Sequence, residues 1–436
     1  MLKPVLEVYI VWHPSDTAGA AIAKEIAEHF HGGAYTSLLG GALEVYMRSA
    51  GWTAEGAAPR PILWPDASVE EAVGIEPAEF VAVMPLVGTS LNRAVIRNPE
   101  WAGYFESIQE KVKAGKDHVR VFPIRINGIV AESALASLLP ANVQYAGEQD
   151  AHAAQREPDN QVRCRDLAQF MAQWISPQDR DQLQVFISHT KRLGTPEEPV
   201  AMLVNDVRDA FNTGRVDAFY DAHDLKPGDN WDGALRRNAA TCALVALRTD
   251  LYATREWCQR EMLLAKTHGM PVVVLDALTS GESRGSFLMD HTPRIPVRRD
   301  PDGHFSAAAI RRAINLIADA WLQRALWKRL ATQAKRLPQL ADYWWAPQAP
   351  EPCTLTRWLR AQPGAGDLPG DVDPSIHGSD SAPCIPPLPK GSPVRILHPD
   401  PPLSQDERRV LQQIVSLAGL GALDLTTPRL LAARGA

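Results

Sequence analysis

One order of elements occurs twice in this chain, and that repetition limits the fold more than any single motif does. In the first copy the apolar run Val8-Tyr-Ile-Val-Trp12 is followed by His13-Pro-Ser-Asp16 and a helical pattern from Ala18 to Phe30. In the second, Leu183-Gln-Val-Phe-Ile187 is followed by Ser188-His-Thr-Lys191 and a helical pattern from Val200 to Phe211. A central apolar strand comes next in each, Phe80 to Leu86 and Cys242 to Leu247, then a helix with an early tryptophan (Trp101, Trp257). Each helix ends near a glycine (Gly115, Gly269) and leads into another apolar strand, His118 to Ile124 and Pro271 to Leu275. Strands alternating with helices of this length imply α/β architecture: two tandem flavodoxin-like, doubly wound parallel-sheet domains.

At 436 residues the chain exceeds one ordinary core. The expected division is a first domain over 1–140, a polar linker with a helix over 141–180, a second domain over 181–335, a Pro-rich extended segment over 336–402, and a helical end over 403–436. Pro386-Pro-Leu-Pro389 and the turn His398-Pro-Asp-Pro-Pro-Leu403 mark the Pro-rich segment. A strand is expected at Val394-Arg-Ile-Leu397 and a helix from about Ser404 to Leu417, with too little chain left for another sheet. The end is expected either to dock on the preceding domain or to lead into a domain absent from this chain.

Net charge is −6, so no general nucleic-acid footprint is present. The five cysteines are scattered and form no C-x-x-C pair, which favours a reducing, cytoplasmic setting and points to neither a disulfide framework nor a metal site. The apolar run from Val5 to Trp12 is too short to span a membrane and carries Glu7.

Trp257 and Glu261 stand four residues apart, on one helical face. An indole beside a carboxylate suits a flat, positively charged ligand such as a nicotinamide ring. Adjacent Ser188 and His189 do not suggest a catalytic triad, because no orienting acid is evident.

The second copy, over about Leu183 to Leu326, resembles a Toll/interleukin-1 receptor (TIR) domain. Val185-Phe-Ile-Ser-His189 is close to the family's F-I-S-Y motif, with His189 for the usual Tyr. Phe219-Tyr-Asp-Ala-His-Asp-Leu-Lys-Pro-Gly228 is similar to its BB loop, Trp231 follows, and Tyr252 precedes the W-C-x-x-E of Trp257 to Glu261, as in bacterial members. The resemblance implies cleavage of the N-glycosidic bond of NAD+, which is substrate and not a resident cofactor; no cofactor is expected. Nicotinamide leaves as a neutral molecule from a pyridinium, so the general acid of ordinary glycosidases is not needed. One carboxylate can stabilise the oxocarbenium-like ribose, and Glu261 is the expected catalytic group. Trp257, Phe186, Ser188, His189, Tyr220, Asp224, Trp231 and Tyr252 are the expected substrate-binding set. For His189 a pocket role and a satisfied surface role stay open.

The resemblance further implies self-association through TIR domains and a role as an effector in bacterial antiphage defence. A nucleotide signal read by an absent SLOG-like C-terminal sensor is a further expectation. The alternative is a scaffold that only binds other TIR domains. The first copy is a poorer match. Four residues after Trp101 it has Phe105, with Glu106 about 100° away around the helix, so a TIR-like domain without catalytic function is expected there.

Overall fold

In the computed structural model the described residues are 3–32, 35, 42–51, 57–67, 76–115, 117–126, 134–139, 145–147, 158–176, 183–190, 200–213, 219–220, 238–360 and 383–433. They divide into two compact units, 1–177 with 325–334, and 178–324 with 335–436. The architecture is α/β with parallel sheets, as the alternation of patterns implies.

The first unit contains β1 (Leu6–Val11), α1 (Thr17–Phe30), β2 (Leu43–Arg48), β3 (Phe80–Val87), α2 (Thr89–Arg97), α3 (Pro99–Ala114), β4 (Val119–Val121), β5 (Ile124–Arg125), α4 (Ala134–Leu138) and α5 (Asp159–Ile175). Strand order is β2-β1-β3-β4, with β5 also pairing β3, and every ladder is parallel. β1 and β3 are buried along their whole lengths, the pattern of strands covered on both faces, which is why they read as unbroken apolar runs. Asp16 caps α1 by accepting from Gly19 N at 3.0 Å. At α3, Asn98 accepts from Glu100 N and Pro99 takes the first helical position, where a missing N–H is harmless.

The second unit begins with β6 (Val185–Ser188), α6 (Val200–Thr213), β7 (Phe219–Tyr220), β8 (Ala243–Arg248), α7 (Glu256–Thr267), β9 (Val272–Asp276) and β10 (Arg294–Pro296). Its strand order is β10-β9-β8-β6-β7, again all parallel. A helix α8 (Ala307–Ala334) follows, its residues 307–324 belonging to this unit and 325–334 to the first. α7 stops where Gly269 adopts φ +60 and Met270 N reaches back to Ala265 O; a side chain at Gly269 would collide with Pro347.

After α8 the structure departs from the expected extended segment and lone helix. β11 (Trp344–Trp345), α9 (Pro352–Trp358), β12 (Val394–Leu397), α10 (Gln405–Leu417), β13 (Leu423–Thr426) and α11 (Pro428–Ala433) form a further small α/β layer. Its parallel sheet has the order β11-β12-β13. Proline density misleads here because apolar anchors spaced between the prolines close a core: Leu355, Trp358, Ile385, Ile396, Leu411, Val415 and Leu425 pack together. Pro352 itself opens α9, where Glu351 and Thr354 form a reciprocal cap.

This layer is tied to α7. Trp358 is fully buried and donates Nε1–H to Thr267 O at 2.9 Å. The buried Lys266 ammonium contacts both Glu351 oxygens at 2.8 and 2.9 Å and Asp290 O at 2.7 Å. The sequence suggested none of these ties. Among the described residues no helix is long and apolar enough to cross a membrane.

Trp358→Ala is expected to lower unfolding free energy by about 3–5 kcal/mol through cavity formation. Trp358→Phe, which keeps most of the packing and strands one buried carbonyl, should cost about 1–3 kcal/mol. Denaturant titration of the full chain measures both.

Candidate functional site

The strand order of the second unit reverses between β6 and β8: β7 pairs β6 on one side and β8 pairs it on the other, and open α/β sheets bind ligands outside the carboxyl ends of their strands at such a reversal. Ser188 is the last residue of β6, in register with Ala246 of β8. Beyond β8 the chain makes a short 3-10 turn, Tyr252–Thr254, and enters α7, whose inward face carries Cys258, Glu261, Met262 and Ala265.

Ser188, Tyr252 and Glu261 meet here. Ser188 Oγ donates to Glu261 Oε2 at 2.5 Å and lies 2.7 Å from Tyr252 Oη. A serine hydroxyl has one proton; since Ser188 gives it to the carboxylate, Tyr252 must donate to Ser188. The result is a directed chain from Tyr252 through Ser188 to Glu261. Glu261 is only 6% exposed, so these bonds replace water at a carboxylate withdrawn from solvent.

Burial pushes the Tyr252 phenol well above its ordinary value, and the negative ends of Cys258 and Glu261 push it further, against the lowering effect of the Ser188 bond. Burial, reinforced by Glu261, likewise raises the Cys258 thiol. Cys258 Sγ donates to His189 O at 3.7 Å. Both shifts favour the protonated forms of these side chains.

The other expected residues are distributed differently. Trp257 is 39% exposed, with the Arg260 guanidinium 5.2 Å from its ring centroid, so Trp257 and Glu261 do not share one enclosed wall. Arg260 is itself paired to Glu256 at 2.5 Å. Phe186 is 1% exposed within β6, a core position and not a ring presented to a ligand. His189 is buried, with Nδ1 3.0 Å from Thr190 O, which removes the surface alternative. Tyr220 is described through its backbone in β7, and Asp224 and Trp231 lie outside the described residues.

A second set of groups at the same edge was not foreseen. Arg248, at the end of β8, holds Glu282 with two hydrogen bonds, at 3.0 and 2.5 Å, and Asp276 at 3.0 Å. The Glu282 bonds chiefly raise the guanidinium further above its usual range. The Asp250 carboxylate accepts from the backbone N–H groups of Thr279, Ser280 and Gly281 at 2.9, 2.8 and 3.2 Å. Together they pin the loop after β9. Partners about thirty residues apart leave no periodic signal, so no local pattern announces them.

In the first unit the corresponding edge, at β1 and β3, is filled by aromatic side chains. Trp101 and Phe105 are fully buried, the His13 ring sits 5.4 Å from Trp101, and Glu106 is exposed. Matching buried positions pairs Trp101 with Cys258, Phe105 with Met262 and Ile108 with Ala265. In that burial pattern Trp101 takes an inward position, whereas Trp257 is exposed. The Tyr104 hydroxyl donates to Arg60 O at 3.4 Å.

No protein-family model matches the chain, and no curated protein matches it. Among solved structures it is similar to a phosphosugar isomerase by name from Silicibacter pomeroyi, at 12% identity and TM-score 0.17 over 76% of this chain and 87% of that one. It is also similar to tagatose-6-phosphate ketose/aldose isomerase from Escherichia coli, at 13% identity and TM-score 0.19 over 76% and 84%. Scores this low carry no chemistry across.

Because the raised Tyr252 pKa leaves the unfolded phenol to ionise first, Tyr252 contributes stability below its ordinary value of 10.0 that declines as pH rises above it. Tyr252→Phe should remove that part of the alkaline loss while costing about 1 kcal/mol at neutral pH from the Ser188 bond. Denaturation curves at neutral and alkaline pH test both parts.

Proposed function

We propose that the second unit is a TIR domain of flavodoxin-like topology that cleaves NAD+ and releases nicotinamide, with Glu261 as the catalytic carboxylate. The observation that carries this reading is the Tyr252–Ser188–Glu261 chain at the carboxyl edge of a parallel sheet, where the strand order reverses. The order β7-β6-β8-β9-β10, read from the other edge, is the 2-1-3-4-5 arrangement of that topology. The F-I-S and W-C-x-x-E residues, far apart in sequence, converge in this cluster through Ser188 and Glu261.

In the reaction the bond between ribose C1′ and the pyridinium nitrogen breaks with its electron pair moving to nitrogen. Nicotinamide departs neutral, so a site without a general acid suffices. Positive charge develops on the ribose, and a preorganised carboxylate opposes it without reorganising. Ser188 and Tyr252 hold the Glu261 carboxylate in one orientation, so that a small outward turn or a ribose hydroxyl replacing Ser188 as donor exposes a ready anion. Water, or a second nucleophile of the substrate itself, then attacks C1′ and gives up its proton to solvent or to Glu261.

Trp257, exposed beside Arg260 on α7, suits contact with another TIR copy. It supports self-association as the activating event of a defence effector, and the scaffold alternative shares that contact. Buried Phe105 four residues after Trp101, with Glu106 exposed, supports a non-catalytic first copy.

Incubation of the full chain with NAD+, followed by chromatography and mass spectrometry, is expected to reveal nicotinamide with ADP-ribose or a cyclised product. Glu261→Gln should lower that rate by about a hundredfold or more while the protein remains folded. Undiminished release by a folded Glu261→Gln protein would overturn the assignment, and no release by the associated wild type would favour the scaffold.

A further inference from the structure

An apolar cavity lies within the second unit, between the 3-10 turn Phe287–Met289, the entry to α9 and the first turns of α10. It shares no lining residue with the Tyr252–Ser188–Glu261 cluster. Its volume is about 390 Å3, inside the range of roughly 300–1,000 Å3 that small-molecule sites occupy. Phe287, Pro350, Leu403, Val410 and Leu411 form the apolar wall. Phe287 is 70% exposed and Val410 46%, so large apolar side chains face water here, and an apolar occupant would cover them.

The charged part of the lining has one dominant sign. Asp290, Glu351, Asp406 and Glu407 bring carboxylates, His291 brings an imidazole, and neither lysine nor arginine is among the described lining residues. Glu351 is committed to Lys266 through both oxygens, and Glu407 to Ser404 N at 2.7 Å and His291 Nε2 at 3.3 Å. Asp290 and Asp406 are held more loosely. Arg294 reaches Asp290 Oδ1 at 3.5 Å and Arg409 reaches Asp406 Oδ1 at 2.9 Å, both on the exposed surface, where such pairs are weak. Ionised carboxylates only accept, so the polar end of an occupant must donate, and a rim of one sign over an apolar wall favours a cation. His291 adds a separate indication. Its φ of 57° is a left-handed backbone that residues with a side chain rarely adopt, and such conformations gather at ligand clamps. Its ring joins the segment after the 3-10 turn to α10 through Glu407, linking two of the elements that bound the cavity.

We infer that this cavity binds a small organic cation, with an apolar ring or chain against Phe287, Val410 and Leu411 and a protonated amine at Asp290 and Asp406. Apolar walls supply the affinity and the two loosely held carboxylates select the charge. Asp290, through its carbonyl, and Glu351 also hold Lys266 on α7, so the site abuts the end of the helix that carries Glu261. Binding there does not depend on the NAD+ reading.

The probe is tryptamine, an indole bearing a primary ammonium, compared with indole-3-acetate, which carries the opposite charge on the same ring. Calorimetric titration of the full chain is expected to show about one tryptamine bound per chain, with indole-3-acetate weaker by about tenfold or more. Asp290→Asn combined with Asp406→Asn should remove most of that preference. Val410→Trp, which fills the cavity from an exposed position, and Phe287→Ala, which removes an exposed part of the wall, should each weaken tryptamine about tenfold. Glu261→Gln should bind as the wild type does. Tryptamine should also raise the thermal midpoint of the wild type but not of Val410→Trp. The proposal is overturned if the wild type binds no tryptamine, if it binds indole-3-acetate equally well, or if Val410→Trp and Phe287→Ala both keep wild-type affinity.

Discussion

A carboxylate can stay inside a helix–sheet junction only if hydrogen bonds replace the water it gives up, and the candidate site is built around meeting that condition for Glu261. Ser188 supplies the bond from the end of β6, and Tyr252 supports Ser188 from the turn before α7. Three elements must come together for this to hold: the first strand of the sheet, the third strand's exit turn, and the helix that follows. The bond therefore depends on the strand reversal between β6 and β8, and the placement of α7 becomes the variable on which the site's geometry rests.

That placement is secured at both ends of the helix. At its start, Cys258 Sγ reaches His189 O, and Arg248 and Asp250 fix the loop after β9 beside it. At its end, Lys266 and the carbonyl of Thr267 are engaged by Glu351 and Trp358 of the third sheet's layer. A buried ammonium with a carboxylate and a carbonyl is costly to break from one side, because the remaining charge keeps its desolvation penalty. The small C-terminal layer is thus joined to the candidate catalytic helix and not appended to it.

The strand and helix runs of both repeats were legible because strands covered on both faces become continuous apolar stretches and their helices carry ordinary caps. Val394–Leu397 and the helix after Ser404 were legible for the same reason. The third sheet as a whole was not, since one partner strand has two residues and the intervening sequence is dense in proline. Glu261, Ser188 and Tyr252 were picked out by the TIR resemblance, while of the two aromatic residues named with them Phe186 is core and Trp257 faces solvent. Period alone assigns residues to faces of a strand or helix, while which face is covered depends on neighbours far away in sequence.

The amino-acid sequence by itself determined the parallel α/β alternation, its duplication, and the presence of a W-C-x-x-E carboxylate in one copy only. Tertiary structure decided that Tyr252 and Ser188 hold the carboxylate, and that Glu351 and Trp358 engage the end of the helix that carries it. The reason lies in distance along the chain. Periodicity and capping are properties of a few consecutive residues, whereas a hydrogen bond between positions 188 and 261 exists only after the sheet has chosen its strand order.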